Sequence, residues 1–358
     1  MSERDRLNNL LDCDIDFNSY QLLVWGTGNT TDLYQEGLKR LEKEGIVVKG
    51  YFDNNAEKWG TTYNGKEVFS PESLSEFESP FVLVSSTRWS TIRQIGKQLD
   101  DSGIPWLPID SFVVKTHAEQ LLKVYDLLGD ERSKHVYYSL AEQRVKGSGI
   151  TEDIIDRDQY FYRAFIGSFP NEVFVDCGAY VGDSFEQYLW TRAGVFKNAL
   201  LFEPDKKNVS AIEKRLSRLK EEWNIEDSKV TIYPYGIGDS DSINYMKKND
   251  TLNGLSSKLT SDNSSSDEET KIVALDSVLN GGDLFIKADI ESYEYKMILG
   301  LKNTIKKYHP RLAVCIYHNS VDFYSIPILL NELCPEYRFA VRHYSADFSE
   351  TVLYAYFE

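Results

Sequence analysis

One order of elements occurs twice in this chain: a short apolar run, a glycine turn, and then a helical stretch. Runs of that length are strands rather than helices, and strands alternating with helices build a parallel sheet covered on both faces. In the first copy the run is Leu22 to Trp25, Gly26 and Gly28 make the turn, and the helix reaches about Glu44. Ile46 to Phe52, ending at Asp53, then Phe81 to Val84 and Ile104 to Ile109 read as further strands. The second copy opens at Glu172 and runs through Val173 to Val175, Ala199 to Phe202, Val230 to Tyr233, Leu284 to Ala288 and Leu312 to Tyr317. Tyr337 to His343 and Thr351 to Phe357 follow, joined only by a short polar loop, so these two strands should be antiparallel.

A chain of 358 residues exceeds one ordinary core. The expectation is therefore two α/β, Rossmann-like domains: a small one over 1–110, a helical connector over 111–165, and a larger one over 166–358. In the connector Leu121, Leu122, Tyr125 and Leu128 recur at helical spacing. Ser256 to Glu269, rich in Ser and Asp, reads as a solvated loop or flap. A net charge of −16 opposes binding to bulk nucleic acid or anionic membrane. No apolar run approaches the roughly 18 residues of a membrane helix, and the N-terminus lacks the pattern of a secretion signal. Cys13, Cys177, Cys315 and Cys334 are scattered without a CxxC pair, as reduced cysteines are, which favours the cytoplasm.

The chemistry-bearing residues gather at the strand ends of the second unit. In Val175-Asp176-Cys177-Gly178-Ala179-Tyr180-Val181-Gly182-Asp183, Gly178 permits close backbone approach to a ligand and Gly182 a tight entry into a helix. The free N–H groups at that helix start suit a carboxylate or phosphate. The next strand ends in Phe202-Glu203-Pro204-Asp205, with Glu203 27 positions after Asp176 and placed to accept hydrogen bonds from both hydroxyls of a ribose. Asp205 is the lesser candidate. The third leads into Gly236-Ile237-Gly238-Asp239, assigned to the adenine side; the alternative is a tight turn capped by Asp239. The fourth gives Ile286-Lys287-Ala288-Asp289-Ile290-Glu291. Asp289 and Glu291 can act as general base, bind a metal, or bond a cofactor amine and cap the following helix. The fifth delivers His318, either a base for a hydroxyl or a structural histidine. Carboxylates as dispersed as Asp239, Asp289 and Glu291 are more often solvated than metal-bound, so no metal is expected.

Five alternating strands and a terminal hairpin form the pattern of a seven-stranded methyltransferase sheet. Together with Val173 to Gly182, Phe202-Glu203-Pro204, Ala274-Leu275-Asp276-Ser277-Val278, Ile286 through Glu294, and Ile316-Tyr317-His318, the region 171–358 resembles the FkbM family of methyltransferases. One departure is Ser292-Tyr293, where a Gly-Ala pair commonly follows the Asp-Ile-Glu of the family. The resemblance implies S-adenosyl-L-methionine as methyl donor and O-methylation, often of sugars in glycans, glycolipids or secondary metabolites. Asp176, Gly178, Tyr180, Gly182, Glu203, Pro204, Gly238, Asp239 and Asp289 are then the expected donor-binding residues, and His318, Asp289 and Glu291 the expected catalytic ones.

The N-terminal unit resembles the small Rossmann-like domains found ahead of some such methyltransferases. Its turn, Trp25-Gly26-Thr27-Gly28-Asn29-Thr30-Thr31, has Thr31 where a dinucleotide fingerprint wants a third glycine, while Asp53 stands at a suitable distance for a ribose. A structural or dimer-forming role competes there with nucleotide binding. Two rival functions remain open: a nicotinamide oxidoreductase using that turn, and a non-catalytic protein whose N-terminal unit binds a sugar nucleotide or a partner.

Overall fold

The computed structural model describes residues 1–162, 165, 167, 170–247, 258–260 and 268–357. Two parallel-dominated sheets account for most strands. The first contains β1 (Gln21–Trp25), β2 (Val48–Phe52), β3 (Thr62–Tyr63), β4 (Lys66–Phe69), β5 (Pro80–Val84) and β6 (Trp106–Pro108) in the order β3-β4-β2-β1-β5-β6. All neighbours are parallel except the β3–β4 pair. Two features shorten the expected elements: Tyr34 separates the helices Asn29–Leu33 and Gln35–Lys43, and the strand expected over Ile104 to Ile109 stops at Pro108, where a helix begins.

The second sheet contains β7 (Val173–Cys177), β8 (Asn198–Phe202), β9 (Val230–Tyr233), β14 (Leu284–Ala288), β15 (Arg311–Cys315), β16 (Arg338–His343) and β17 (Thr351–Tyr356). Its order is β16-β17-β15-β14-β7-β8-β9, with β17 antiparallel to both its neighbours and the other pairs parallel. This is the seven-stranded sheet with a terminal antiparallel hairpin read from the sequence. Strands β7, β14 and β15 are buried at every position, which explains why each is apolar but for one charged residue: Asp176, Lys287 and Arg311. Asp205 caps the helix Lys206–Trp223 by accepting the N–H groups of Lys207 and Asn208 at 2.7 and 3.3 Å. Asp276 does the same for the helix Lys302–Tyr308, accepting from Asn303 and Thr304 at 3.0 and 2.8 Å.

A third, four-stranded sheet was not foreseen. It orders β10 (Gly236–Ile237), β13 (Glu268–Val273), β11 (Ser242–Lys247) and β12 (Lys258–Thr260). The stretch read as a solvated loop therefore contains a strand at 258–260 and the start of another at 268; residues 256–257 and 261–267 lie outside the described residues. Between the two large sheets run the helices Ile109–Thr116, Ala118–Leu127 and Glu131–Lys146. A single apolar cluster extends from Leu7, Val24 and Tyr51 through Leu121 and Tyr137 to Ile286, Val314 and Leu353, so both sheets share one continuous core.

Candidate active site

The carboxyl edge of the second sheet, where open α/β sheets hold ligands, surrounds a cavity of about 360 Å³. Gly178 follows β7, Phe202 to Pro204 close β8, Tyr235 to Ile237 follow β9, Asp289 to Glu291 follow β14, and Tyr317 follows β15. Gly178 has φ +80°, and a Cβ there would stand 1.9 Å from the carbonyl oxygen of Asp289, so only glycine allows the two strand ends to approach. Four non-glycine residues lining the cavity, Tyr160, Tyr180, Glu291 and Glu350, also hold positive φ, at 65°, 46°, 53° and 60°. Such backbone costs of order 1–3 kcal/mol per residue and collects at functional sites.

Glu203 is held by its own surroundings. Tyr180 N–H donates to Oε2 at 2.9 Å, while Asp205 N–H and the Asn208 side chain donate to Oε1 at 2.9 and 3.3 Å. Burial pushes its carboxyl above the ordinary range, and these donors partly oppose the shift. Each carboxylate oxygen can accept more than one hydrogen bond, so the fixed group keeps acceptor capacity toward the cavity.

Asp289 is the centre of a polar network. Tyr160 Oη donates to Oδ2 at 2.7 Å, Tyr317 Oη to Oδ1 at 3.2 Å, and His318 Nε2 lies 3.4 Å from Oδ1. Burial alone would raise the Asp289 carboxyl, but His318 and Lys287 outweigh it and hold the group ionised. The Lys287 ammonium, wholly inside the fold, donates to Gly178 O at 2.7 Å, pairs with Asp176 at 3.0 Å and lies 5.2 Å from the Tyr160 ring centre. Burial disfavours this charge, yet Asp176 and Asp289 prevail and keep it above its usual value.

Of the expected residues, Gly178, Tyr180, Glu203, Pro204, Asp289 and Glu291 line this cavity together. Asp176, Gly182, Gly238, Asp239 and His318 do not. Asp176 sits behind the wall, bonded by Ser184 Oγ at 2.7 Å and paired with Lys287, so it fixes the glycine turn from beneath. Gly182 precedes the helix Asp183–Arg192 without facing the cavity. The chain turns away after Ile237, which leaves Tyr235, Gly236 and Ile237 as the lining residues and sends Asp239 to a separate cavity of about 510 Å³ bordered by Glu36 and Lys296.

The expectation of His318 as a base is corrected. Its side chain is 3% exposed, with Nδ1 3.0 Å from Glu294 and Nε2 3.8 Å from Glu291 as well as close to Asp289. Burial disfavours the charged ring, but Glu294 foremost, then Asp289 and Glu291, push its pKa up to about 10. An imidazolium has no lone pair to receive a proton. Glu350, which sequence reasoning missed, is better placed: it lines the cavity, and burial with the nearby Asp289 charge raises its carboxyl above the usual range. Tyr160, Tyr317 and Lys287 were also missed. Only Lys287 carried a sequence signal, as a charge inside an otherwise apolar buried strand.

The N-terminal turn is closed on itself. Gly26, at φ +118°, would put a Cβ 2.8 Å from Ser85 O, and Thr31 Oγ1 donates to Gly26 O and bonds Ser85 Oγ at 2.8 and 2.9 Å. The Asp53 carboxylate accepts from Thr27 N–H at 3.1 Å and pairs with Lys58 at 2.9 Å, so the group expected to hold a ribose is bonded internally. That arrangement weighs against the nicotinamide reading.

Comparison with known proteins agrees with the geometry. Residues 176–341 match the methyltransferase FkbM domain, and residues 18–107 match the C2185-like N-terminal domain. The structure is similar to methyltransferase FkbM from Methylobacillus flagellatus KT at 19% identity, with 99% of each chain covered and a TM-score of 0.59. An rRNA methylase from Streptococcus thermophilus, at 12% identity and a TM-score of 0.32 over 56% of this chain and 93% of that one, is too distant to add to the comparison. No curated protein matches the chain. The strand order, the cavity at its carboxyl edge and the matched segment converge: the C-terminal part of this protein is a methyltransferase domain of the FkbM family.

Proposed function

We propose that the protein transfers a methyl group from S-adenosyl-L-methionine to a hydroxyl of a sugar, in a glycan or glycoconjugate precursor. The observation that carries this reading is the fixed Glu203 carboxylate beside Gly178 in a cavity that Asp289 and Glu350 also line. Glu203 would accept the ribose hydroxyls, Tyr235 to Ile237 would border the adenine, and the Gly178–Tyr180 turn would face the methionine end. Tyr160, Tyr317, Gln159 and Glu350 supply the rings and hydrogen-bonding groups that suit a polyol.

The donor supplies a methyl already activated on a sulfonium. The acceptor oxygen forms the new C–O bond as the C–S bond breaks with its electron pair going to sulfur, and the hydroxyl proton passes to Glu350. Asp289, kept ionised, orients the hydroxyl by accepting from it, so positioning supplies most of the acceleration. Regions 1–110 and 111–165 would brace the domain at 166–358. The four free cysteines fit a reducing, cytoplasmic setting.

Two results test the reading. Glu203→Ala should weaken S-adenosylhomocysteine binding by about 10- to 100-fold in calorimetry, the worth of roughly 1.5–3 kcal/mol for hydrogen bonds to a charged group. Unchanged affinity in a folded variant would sink the donor site. Glu350→Gln should lower kcat about a hundredfold or more with donor affinity retained. Because burial, and after it the Asp289 charge, raises the Glu350 carboxyl against Gln159, His318 and Lys287, the base form is lost as pH falls through that raised value. The acid limb of the wild-type rate profile should therefore be absent in Glu350→Gln.

A further inference from the structure

We propose that Asp289, Glu294 and His318 bind one divalent cation, Mg²⁺ or Mn²⁺, in the wall of the donor cavity. One oxygen from each carboxylate and one ring nitrogen of His318 lie within 4.8 Å of one another. Three elements converge to place them: the end of β14, the first turn of the helix Glu294–Leu299, and the chain leaving β15.

The protein groups alone leave this cluster unsatisfied. Glu294 is wholly buried; its Oε1 accepts the N–H of Ile290 at 2.8 Å, while Oε2 has no hydrogen-bond partner among the described residues. Neither ring nitrogen of the buried His318 makes a well-aligned hydrogen bond among those residues, although both face carboxylates. With Glu291 beside them, three carboxylates surround one ring, and the Lys287 ammonium is directed instead at Asp176 and Gly178 O. An orphaned carboxylate oxygen in the interior is costly, and an ion among these groups would satisfy it.

The donor set points to the class of metal. Two carboxylates and an imidazole, without thiolate, suit a hard or intermediate cation such as Mg²⁺ or Mn²⁺, the ion taking the place of the proton that the His318 ring otherwise holds. Three protein ligands leave positions open in an octahedral ion, and Asp289 reaches the cavity surface. The open positions would face the acceptor, where neighbouring hydroxyls of a polyol can chelate and the ion can favour the alkoxide. This role rests on the proposed methyl transfer to a sugar hydroxyl; the binding of the ion does not.

The test is titration of the full-length protein with Mn²⁺ followed by electron paramagnetic resonance, with S-adenosylhomocysteine binding measured in parallel. One bound Mn²⁺ per chain, displaced by Mg²⁺ and lost in Glu294→Gln while S-adenosylhomocysteine still binds, is the expected result. If Glu294→Gln does not fold, His318→Asn gives the same reading. Wild-type protein that binds S-adenosylhomocysteine but no Mn²⁺ would overturn the cation site and leave the methyltransferase reading intact. Mn²⁺ binding that survives in folded variants would place the ion elsewhere and overturn it equally. Mn²⁺ binding without S-adenosylhomocysteine binding would uphold the site and remove the donor reading.

Discussion

Lys287→Met is expected to destabilise the protein by about 3–5 kcal/mol, because it removes one partner of a wholly buried pair and strands Asp176 in the interior. The methionine fills similar volume, so the loss would be electrostatic rather than a cavity effect. The double variant Asp176→Asn with Lys287→Met should recover most of the loss, since neither charge is then buried alone. Asp176 and Asp289 hold the Lys287 ammonium above its usual value, so the stabilisation is fully present below the ordinary lysine range and fades only as pH rises through the elevated folded value. The cost of the single variant should accordingly be flat across neutral pH. Denaturant midpoints for the three proteins check this; a single variant within about 1 kcal/mol of wild type would mean that Asp176 tolerates isolation by taking up a proton.

Gly178→Ala should be the most damaging small substitution for the reaction. The added methyl meets the backbone carbonyl of Asp289 rather than a side chain that could swing away, and the position has φ +80°. Left-handed backbone costs about 1–2 kcal/mol for an L-residue, and relief of the contact requires β7 and β14 to separate at the site itself. A displacement of about 1 Å in a positioned site can cost about a hundredfold in rate, so turnover should fall at least that far, with weaker S-adenosylhomocysteine binding. Gly182→Ala is the control: φ is also +80° there, but the nearest atom is the Arg215 side chain at 3.5 Å, so it should lose stability with a much smaller loss of rate.

The seven-stranded sheet and the main strands of the first sheet were legible because buried parallel strands are nearly continuous apolar runs and a short loop makes a hairpin antiparallel, whereas the short strands β3 and β4 carry no such run. Gly178, Glu203 and Asp289 were legible because the ends of such strands face one edge. The third sheet was not: β10 and β12 are only two and three residues long, and β13 opens on the polar stretch 268–271, which no periodicity separates from a loop. Asp239 was placed in the donor site by adjacency, whereas the turn before it directs it to a separate cavity. His318 looked accessible at its strand end, and only three carboxylates from other elements reveal a ring held as a cation. Tyr160 approaches Asp289 from 129 residues earlier, and Glu350 from the loop before β17, distances over which spacing carries no information.

The tie between Ser292 and the N-terminal unit bears on how the whole chain melts. Ser292 holds φ +75° where the resembled family commonly has glycine, and its hydroxyl donates to Leu33 O at 2.8 Å. Arg40 pairs with Asp322 and donates to Ser325 Oγ at 2.7 Å, while Tyr34 Oη bonds Ser320 at 3.1 Å. The loops after β14 and β15 are thus latched to helices of the other sheet, over a core that neither half closes alone. Calorimetry should show one heat-absorption peak rather than two, and a fragment beginning near residue 166 should expose wet, sticky surface instead of behaving as a free-standing enzyme. Natural variation far from the methyl-transfer site, on the face of the first sheet, would then reach catalysis through shared cooperativity.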